Sequence, residues 1–493
     1  MIWGRTEMKK SLLMVLALSF TLAGCGGSNS NSNTTNTSTD NTATNSTATN
    51  ANASTNANTS TDAAANTTKT ADDTAANQPA ATDEVVTIKY ATWGDKAENG
   101  AEMKRIKAFE AVHPNIKVEI DKSMDWPWDE KLAAAAAADK LPDVTWLFNV
   151  PLAVGSGWLE DLTPYLAQDP DFSPDKIYGS LAKTGEYNGK QYALPHGLYS
   201  WAIYINKDLL AKANIPEPQA NWTLSDLEDI SKKLTNYNEH QFGIDGAAGM
   251  GDVLIPNFNT ALGASTWDGT QYNYTDPAWA EATNWANNFG YKDKSSLQSY
   301  KKEERDKWYG KDISGFNIGK VGMVYDATWS LTWYKQNLKF NWDILPVPGV
   351  NGQKAGLVTD YAGVTKSSKH KKEAVEFLKW MTYSKDGWLA RIKDETPLAT
   401  MPLVNDPDVW NAWLNQDFVT PGIKEIVKAI PNGVLETFKY QPGFADFTSK
   451  VKDKYNEKFQ KGEARPEDVA AELQEKSMEY YNNAMKKIDE ATK

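Results

Sequence analysis

Cysteine is nearly missing: of 493 residues only Cys25 carries a thiol. No intramolecular disulfide is possible, whatever the redox compartment. Histidine is almost as scarce. His113, His196, His240 and His370 are the whole supply, which leaves little room for a histidine-based metal site or a nucleophile–histidine triad. Basic charge is outweighed, and a formal net charge of −12 argues against nucleic acid as a partner, since that role needs a basic face. The apolar run Ser11 to Phe20 falls short of the about 20 residues that cross a bilayer as a helix. Gly-x-Ser-x-Gly and His-Glu-x-x-His are absent. Gly246 to Gly251 is glycine-rich but follows no clear strand, so it reads as a loop. Gly315 to Lys320 is one residue short of a P-loop and is followed by valine. Asp169 to Ser173 hints at a calcium loop, but Pro174 stands where glycine is needed. Neither a metal nor a cofactor is expected.

What is present begins with an export signal. Lys9 and Lys10 precede the short apolar run, and small residues lead into Leu22-Ala23-Gly24-Cys25. A cationic start, an apolar stretch and a small-residue cleavage site make a secretory signal, with Met8 a better start than Met1. Leu-Ala-Gly-Cys resembles the bacterial lipobox, which implies cleavage of residues 1–24 and lipid on Cys25. From Ser28 to about Thr82 the chain is almost all Ser, Thr, Asn and Ala. Such a stretch has too little apolar surface to offset its ordering entropy, so residues 25–84 are expected to form a disordered tether. Its r.m.s. span is on the order of 40 Å. The expected location is the cell membrane, lipid-anchored on the extracellular face.

From Val85 onward the pattern turns to alternating strands and helices. Val85 to Ala91 and Ile116 to Ile120 alternate as strands. Between them Met103, Ile106 and Phe109 recur at helical spacing until His113-Pro114. Trp128 to Ala138 is an alanine-rich helix and Asp143 to Phe148 a buried strand. Gln191 to Pro195 and Trp201 to Asn206 read as two further strands. Helices are expected at Lys207 to Ala213 and Leu224 to Leu234. Val321 to Tyr325 and Phe340 to Pro346 are strands, Lys371 to Tyr383 is a helix, and the end from Pro407 is mostly helical. This alternation predicts an α/β class, and about 410 residues suffice for two domains. Tryptophan is in surplus, with 19 in the chain.

Seven segments in order carry a family resemblance. They are Val86 to Gly94, Lys140-Leu-Pro-Asp-Val-Thr-Trp146, Ala193-Leu-Pro with Tyr204-Ile-Asn-Lys-Asp-Leu-Leu210, Trp222-Thr-Leu-Ser-Asp-Leu, Gly319 to Trp329, Trp342 to Gly349, and Lys372 to Leu378. Together they resemble the family 1 extracellular solute-binding proteins, relatives of maltose-binding protein. The resemblance implies a two-lobed periplasmic-binding-protein-like fold (type II) with three hinge crossovers. Lobe one would be residues 85–196 and 362–391, and lobe two residues 203–355 and 400–493. The crossovers would be 197–202, 356–361 and 392–399. It further implies a monomer that captures a carbohydrate, here an oligosaccharide, and delivers it to the permease subunits of an ABC importer. The alternative is a surface-anchored glycoside hydrolase using paired carboxylates such as Asp125 and Asp129.

A sugar ring offers an apolar face to an aromatic plane and a rim of hydroxyls to carboxylates and amides. Trp329 aligns with the stacking tryptophan of the maltose-binding relatives, with Asp326 in the same turn as a hydroxyl acceptor. Trp93 and Asp95 end the first strand, Asp95 being equally a helix cap. Trp126 stands in the loop Asp125-Trp-Pro-Trp128, and Asn149 follows the strand Asp143 to Phe148. Tyr199 and Trp201 occupy the first crossover. The relatives carry a carboxylate at the position of Tyr199, so the ligand is expected to differ. Asp252 loosely matches another family carboxylate. Asp360 and Tyr361, in the second crossover, are ligand groups or hinge packing, and Tyr440 and Phe444 are late aromatic contacts.

Overall fold

The computed structural model describes residues 84–350 and 354–493. The expected signal peptide, Cys25 and most of the tether lie outside the described residues. Nine strands are introduced in chain order: β1 Val86–Ala91, β2 Ile116–Ile120, β3 Val144–Leu147, β4 Leu194–Asn206, β5 Phe242–Asp245, β6 Val321–Ala327, β7 Trp342–Pro346, β8 Gly356–Val364 and β9 Val434–Leu435. Their order is β2-β1-β3-β8-β4-β6-β5, with β9 beside β8 and β7 beside β4. β1 pairs parallel with β2 and β3, as expected for strand–helix–strand units. β8 runs antiparallel to β3 and β4 and parallel to β9, and β4 runs antiparallel to β6, β7 and β8.

Local chemistry explains the elements the site depends on. The helix Leu224–Leu234 starts at a capping box: Asp226 N–H donates to Thr223 Oγ1, and Thr223 N–H donates to the Asp226 carboxylate. Its Leu224, Leu227, Ile230 and Leu234 fall on one buried face. The helix Ala101–Val112 ends at His113, where the following proline disfavours helical backbone.

Two expectations change. Leu194 and Pro195 of the strand read at Gln191–Pro195 join Trp201–Asn206 in one strand, β4, unbroken from Leu194 to Asn206, whereas Gln191 belongs to a separate short hairpin with Glu186–Tyr187. The first half of β4 pairs with β8 and its second half with β6 and β7. Both flanks supply hydrogen-bond partners, so Pro195 and Gly197 do not end it. The glycine-rich stretch after Asp245 follows β5 directly and turns into the helix Gly251–Phe258. Gly246 has φ +85°, and a Cβ there would stand 2.8 Å from the Tyr325 carbonyl oxygen.

Just past the expected boundary at Thr400 the chain packs back against earlier elements. Met401 bridges to Leu198 and Val404 to Ile177, and Trp410 meets Tyr178 at 5.6 Å. Residues 401–410 therefore lie against Ile177 and Tyr178, within the expected lobe one, and against Leu198 in the expected first crossover. The last turn of the C-terminal helix Pro466–Ala491 does likewise. Ile488 is buried with Val150 and Val154, and Asn188 Nδ2 donates to Asp489.

A candidate binding face

Paired residues in a sheet share a face and neighbours along a strand alternate. Trp146 pairs with Ala362, Asp360 with Gly197, Val358 with Tyr199, and Ile203 with Tyr325. Trp146, Asp360, Tyr199, Trp201 and Tyr325 therefore project to one side, across β3, β8, β4 and β6. Leu147, Tyr361 and Asp326 project to the other.

On the common side the aromatic rings form two groups. In the first, Trp93 stacks on Trp146 at 6.2 Å and meets Trp126 edge-on at 5.7 Å. Trp126 and Phe438 both meet Phe148 at 5.2 Å. In the second, Trp201 stacks on Tyr325 at 4.9 Å and 15°. Trp329 stands edge-on to Trp201 at 5.0 Å and to Tyr199 at 5.9 Å. Trp93 is 46% and Trp329 37% exposed, leaving ring faces accessible in each group. Trp93 follows β1, at the carboxyl ends of the parallel strands where ligands of open α/β sheets bind.

Asp360 stands between the groups. Lys439 Nζ lies 2.5 Å from its Oδ1 and 5.7 Å from the Trp146 ring centre. Burial would raise the Asp360 pKa, but the Lys439 ammonium, His196 and hydrogen bonds from Lys439 and Trp146 together hold it below the usual carboxylate range. His196 is the extra residue of a bulge in β4, because Pro195 pairs with Tyr361 and Gly197 with Asp360. Its Nε2 is buried and has no hydrogen-bond partner among the described residues. Burial pushes the imidazole pKa down to about 3, Asp360 opposing this and Arg105, Arg391 and Lys439 adding to it. Behind His196, Arg391 donates to the His196 carbonyl at 3.2 Å. Glu395 binds Arg105 at 3.0 Å and Arg391 at 3.4 Å, forming one buried ionic cluster.

Several sequence candidates are placed elsewhere. Tyr361 is fully buried, and its hydroxyl donates to Thr184 at 2.7 Å. It packs the core from the opposite face. Asp326 also lies on that face, where its carboxylate accepts from Tyr334 at 2.9 Å and from the Ala327 amide. Phe444 is a core residue stacked on Tyr272 at 5.5 Å. Tyr361 thus takes the packing alternative of its two expected roles, while strand alternation turns Asp326 and core packing turns Phe444 away from the common side, where a ligand contact was expected. Asp95 accepts from the Ala97 amide at 3.0 Å, and the Asn149 side chain caps the helix Val150–Gly155 through Leu152 N–H. Asp252 pairs with Lys452 at 2.5 Å. Tyr440 lies 6.5 Å from Tyr361, and burial pushes its phenol up to about 12. Burial also raises the pKa of Tyr199, whose hydroxyl shares a hydrogen bond with Thr400 at 3.1 Å.

Five groups on the face, Tyr325 among them, were not singled out from the sequence. Trp146 and Phe148 had a signal, an aromatic repeat of two within a strand. Lys439 and Phe438 had none, because they reach the face from a distant segment.

The comparisons with known proteins agree with this architecture. A diacetylchitobiose binding protein of Streptomyces coelicolor is 28% identical over 318 residues, 59% of this chain and 68% of its own. An ABC substrate-binding protein of Listeria monocytogenes, solved in complex with cycloalternan, superposes with a TM-score of 0.64 at 22% identity, covering 82% of this chain and 98% of that one. The maltose-maltodextrin binding protein of Alicyclobacillus acidocaldarius superposes at 0.60 with 17% identity, covering 80% and 100%. These solved structures establish the two-lobed α/β fold. With residues 93–388 matching the family described as bacterial extracellular solute-binding protein, the chain belongs to family 1 of the extracellular solute-binding proteins.

Proposed function

We propose that this protein captures an oligosaccharide in the cleft between its lobes and hands it to the permease of an ABC importer, without chemistry of its own. The observation that carries this reading is the face on which accessible rings of Trp93 and Trp329 flank the Asp360–Lys439 pair. Flat rings fit the C–H faces of pyranoses and lose few rotamers on binding. A charged pair between them fits the hydroxyl rim and penalises a wrong epimer through unpaired polar groups. Closure of the lobes about the crossovers would then trap the ligand.

Lipid on Cys25 and the polar tether would hold the monomer near its permease on the extracellular face. Replacing Cys25 with serine should move the protein from the membrane fraction to the medium. Retention in the membrane would remove the lipid anchor.

The decisive test is a tryptophan-fluorescence titration of the purified protein against a carbohydrate library, run beside a hydrolysis assay on the same sugars. Saturable binding at about micromolar Kd, roughly −8 kcal/mol, without turnover is expected. Turnover would replace this reading with a glycoside hydrolase.

A further inference from the structure

Among the tryptophans in the described residues only Trp93, Trp329 and Trp333 are exposed. The first two belong to the binding face. The third is 45% exposed and has no role so far. Leaving an indole in water forgoes a large burial gain, and a position this close to the face invites a reason.

Trp329 lies in the short 3-10 turn Thr328–Ser330, which leads straight into the helix Leu331–Asn337. Leu331 and Tyr334 are the buried side of that helix, while Trp329 and Trp333, four residues apart, stay on the accessible side. Residues at this spacing are neighbours on one helical face. Four residues advance by about 6 Å at 1.5 Å each, close to the length of one pyranose unit in a chain. The helix also touches the hinge region: Thr332 Oγ1 donates to the Pro397 carbonyl of the third crossover at 2.9 Å. Trp333 therefore stands about one turn beyond Trp329 on the accessible side of this segment. The other exposed large apolar residues of the expected lobe two among the described residues, Tyr237, Ile313, Ile318 and Val350, lie on other segments.

We infer that Trp333 forms an outer subsite, stacking on a sugar ring one unit beyond the ring held by Trp329. This rests on the oligosaccharide reading above. It makes Trp333 a determinant of chain-length preference, with no part in holding the shortest ligand.

Isothermal titration with maltose-, cellobiose- and chitobiose-based series, from disaccharide to hexasaccharide, tests it on the soluble domain together with its tether. In the series that binds, affinity should rise with length in the wild type. Trp333→Ala should remove about fivefold or more from the longer members, about 1 kcal/mol, and flatten the length dependence. Trp333→Phe should restore part of it, and Trp329→Ala should weaken every length. Tyr237→Ala, an exposed aromatic beside Phe242, serves as the surface control. Equal affinities for wild type and Trp333→Ala at every length would overturn the subsite while leaving oligosaccharide binding intact. Impaired uptake with unchanged affinity would also overturn it and assign Trp333 to the permease contact. Absence of binding in every series and throughout the library would remove the carbohydrate reading itself, and the subsite with it.

Discussion

Lys439 reaches Asp360 across 79 positions of sequence and places its ammonium 2.5 Å from the carboxylate, with both side chains less than one-fifth exposed. Lys439 also holds the backbone of this region in place, since its carbonyl accepts from Val150 N–H at 2.9 Å. The pair thus ties a late segment of the chain to β8 and to the start of the helix Val150–Gly155.

Removing the cation should leave Asp360 charged and poorly solvated. Exposed pairs are worth about 0–1 kcal/mol, while breaking a fully buried pair costs about 3–5. For this partly buried pair, Lys439→Met should cost about 2 kcal/mol in urea unfolding followed by circular dichroism. The double change Lys439→Met, Asp360→Asn should recover part of that loss. An unchanged midpoint for the single variant would show that the pair contributes nothing to stability.

His196 predicts an acid-sensitive stability. Its folded pKa of about 3 lies below the ordinary 6.5, so between those values the unfolded chain binds a proton that the folded chain refuses. This stability is fully present above pH 6.5 and is lost progressively as pH falls toward 3, by about 2 kcal/mol between pH 6.5 and 5. Asp360, with its lowered pKa, adds a loss only below the ordinary carboxylate range, as pH falls through its folded value. Thermal unfolding from pH 7 to 4 should show the slope, and His196→Gln should flatten it. Equal slopes in the two proteins would argue against a neutral buried imidazole.

Trp329→Ala should weaken binding of the proposed ligand by at least about tenfold, about 1.4 kcal/mol, with little effect on unfolding because the ring is partly exposed. Fluorescence titration measures it. An unchanged Kd would take Trp329 out of the site.

Tyr361→Phe should do the reverse. It removes the hydrogen bond to Thr184 and lowers stability by about 1 kcal/mol, leaving ligand affinity as it was. A marked loss of affinity at unchanged stability would return Tyr361 to the binding face.

Much of this molecule was legible where the signal is local. The helix Leu224–Leu234 and the strand Ile116–Ile120 begin and end where the pattern predicts, because capping residues and apolar periodicity lie within the element itself. The strands expected at Gln191–Pro195 and Trp201–Asn206 were harder: Pro195 and Gly197 interrupt the local pattern, and only pairing on both flanks reveals β4 as one strand from Leu194 to Asn206. Trp93 and Trp329 could be found because strand ends and aromatic residues are both visible in sequence. Asp326 could not be excluded that way. Its face depends on its register against Ala202, a long-range fact. Lys439 and the bulged His196 depend equally on which distant strands meet.

The sequence by itself determined the α/β alternation and the family, since each is written in contiguous residues. Tertiary structure decided which rings share a face and which carboxylate stands between them. Those outcomes follow from strand register and from burial of paired charges, and both are set by contacts between segments far apart in the chain.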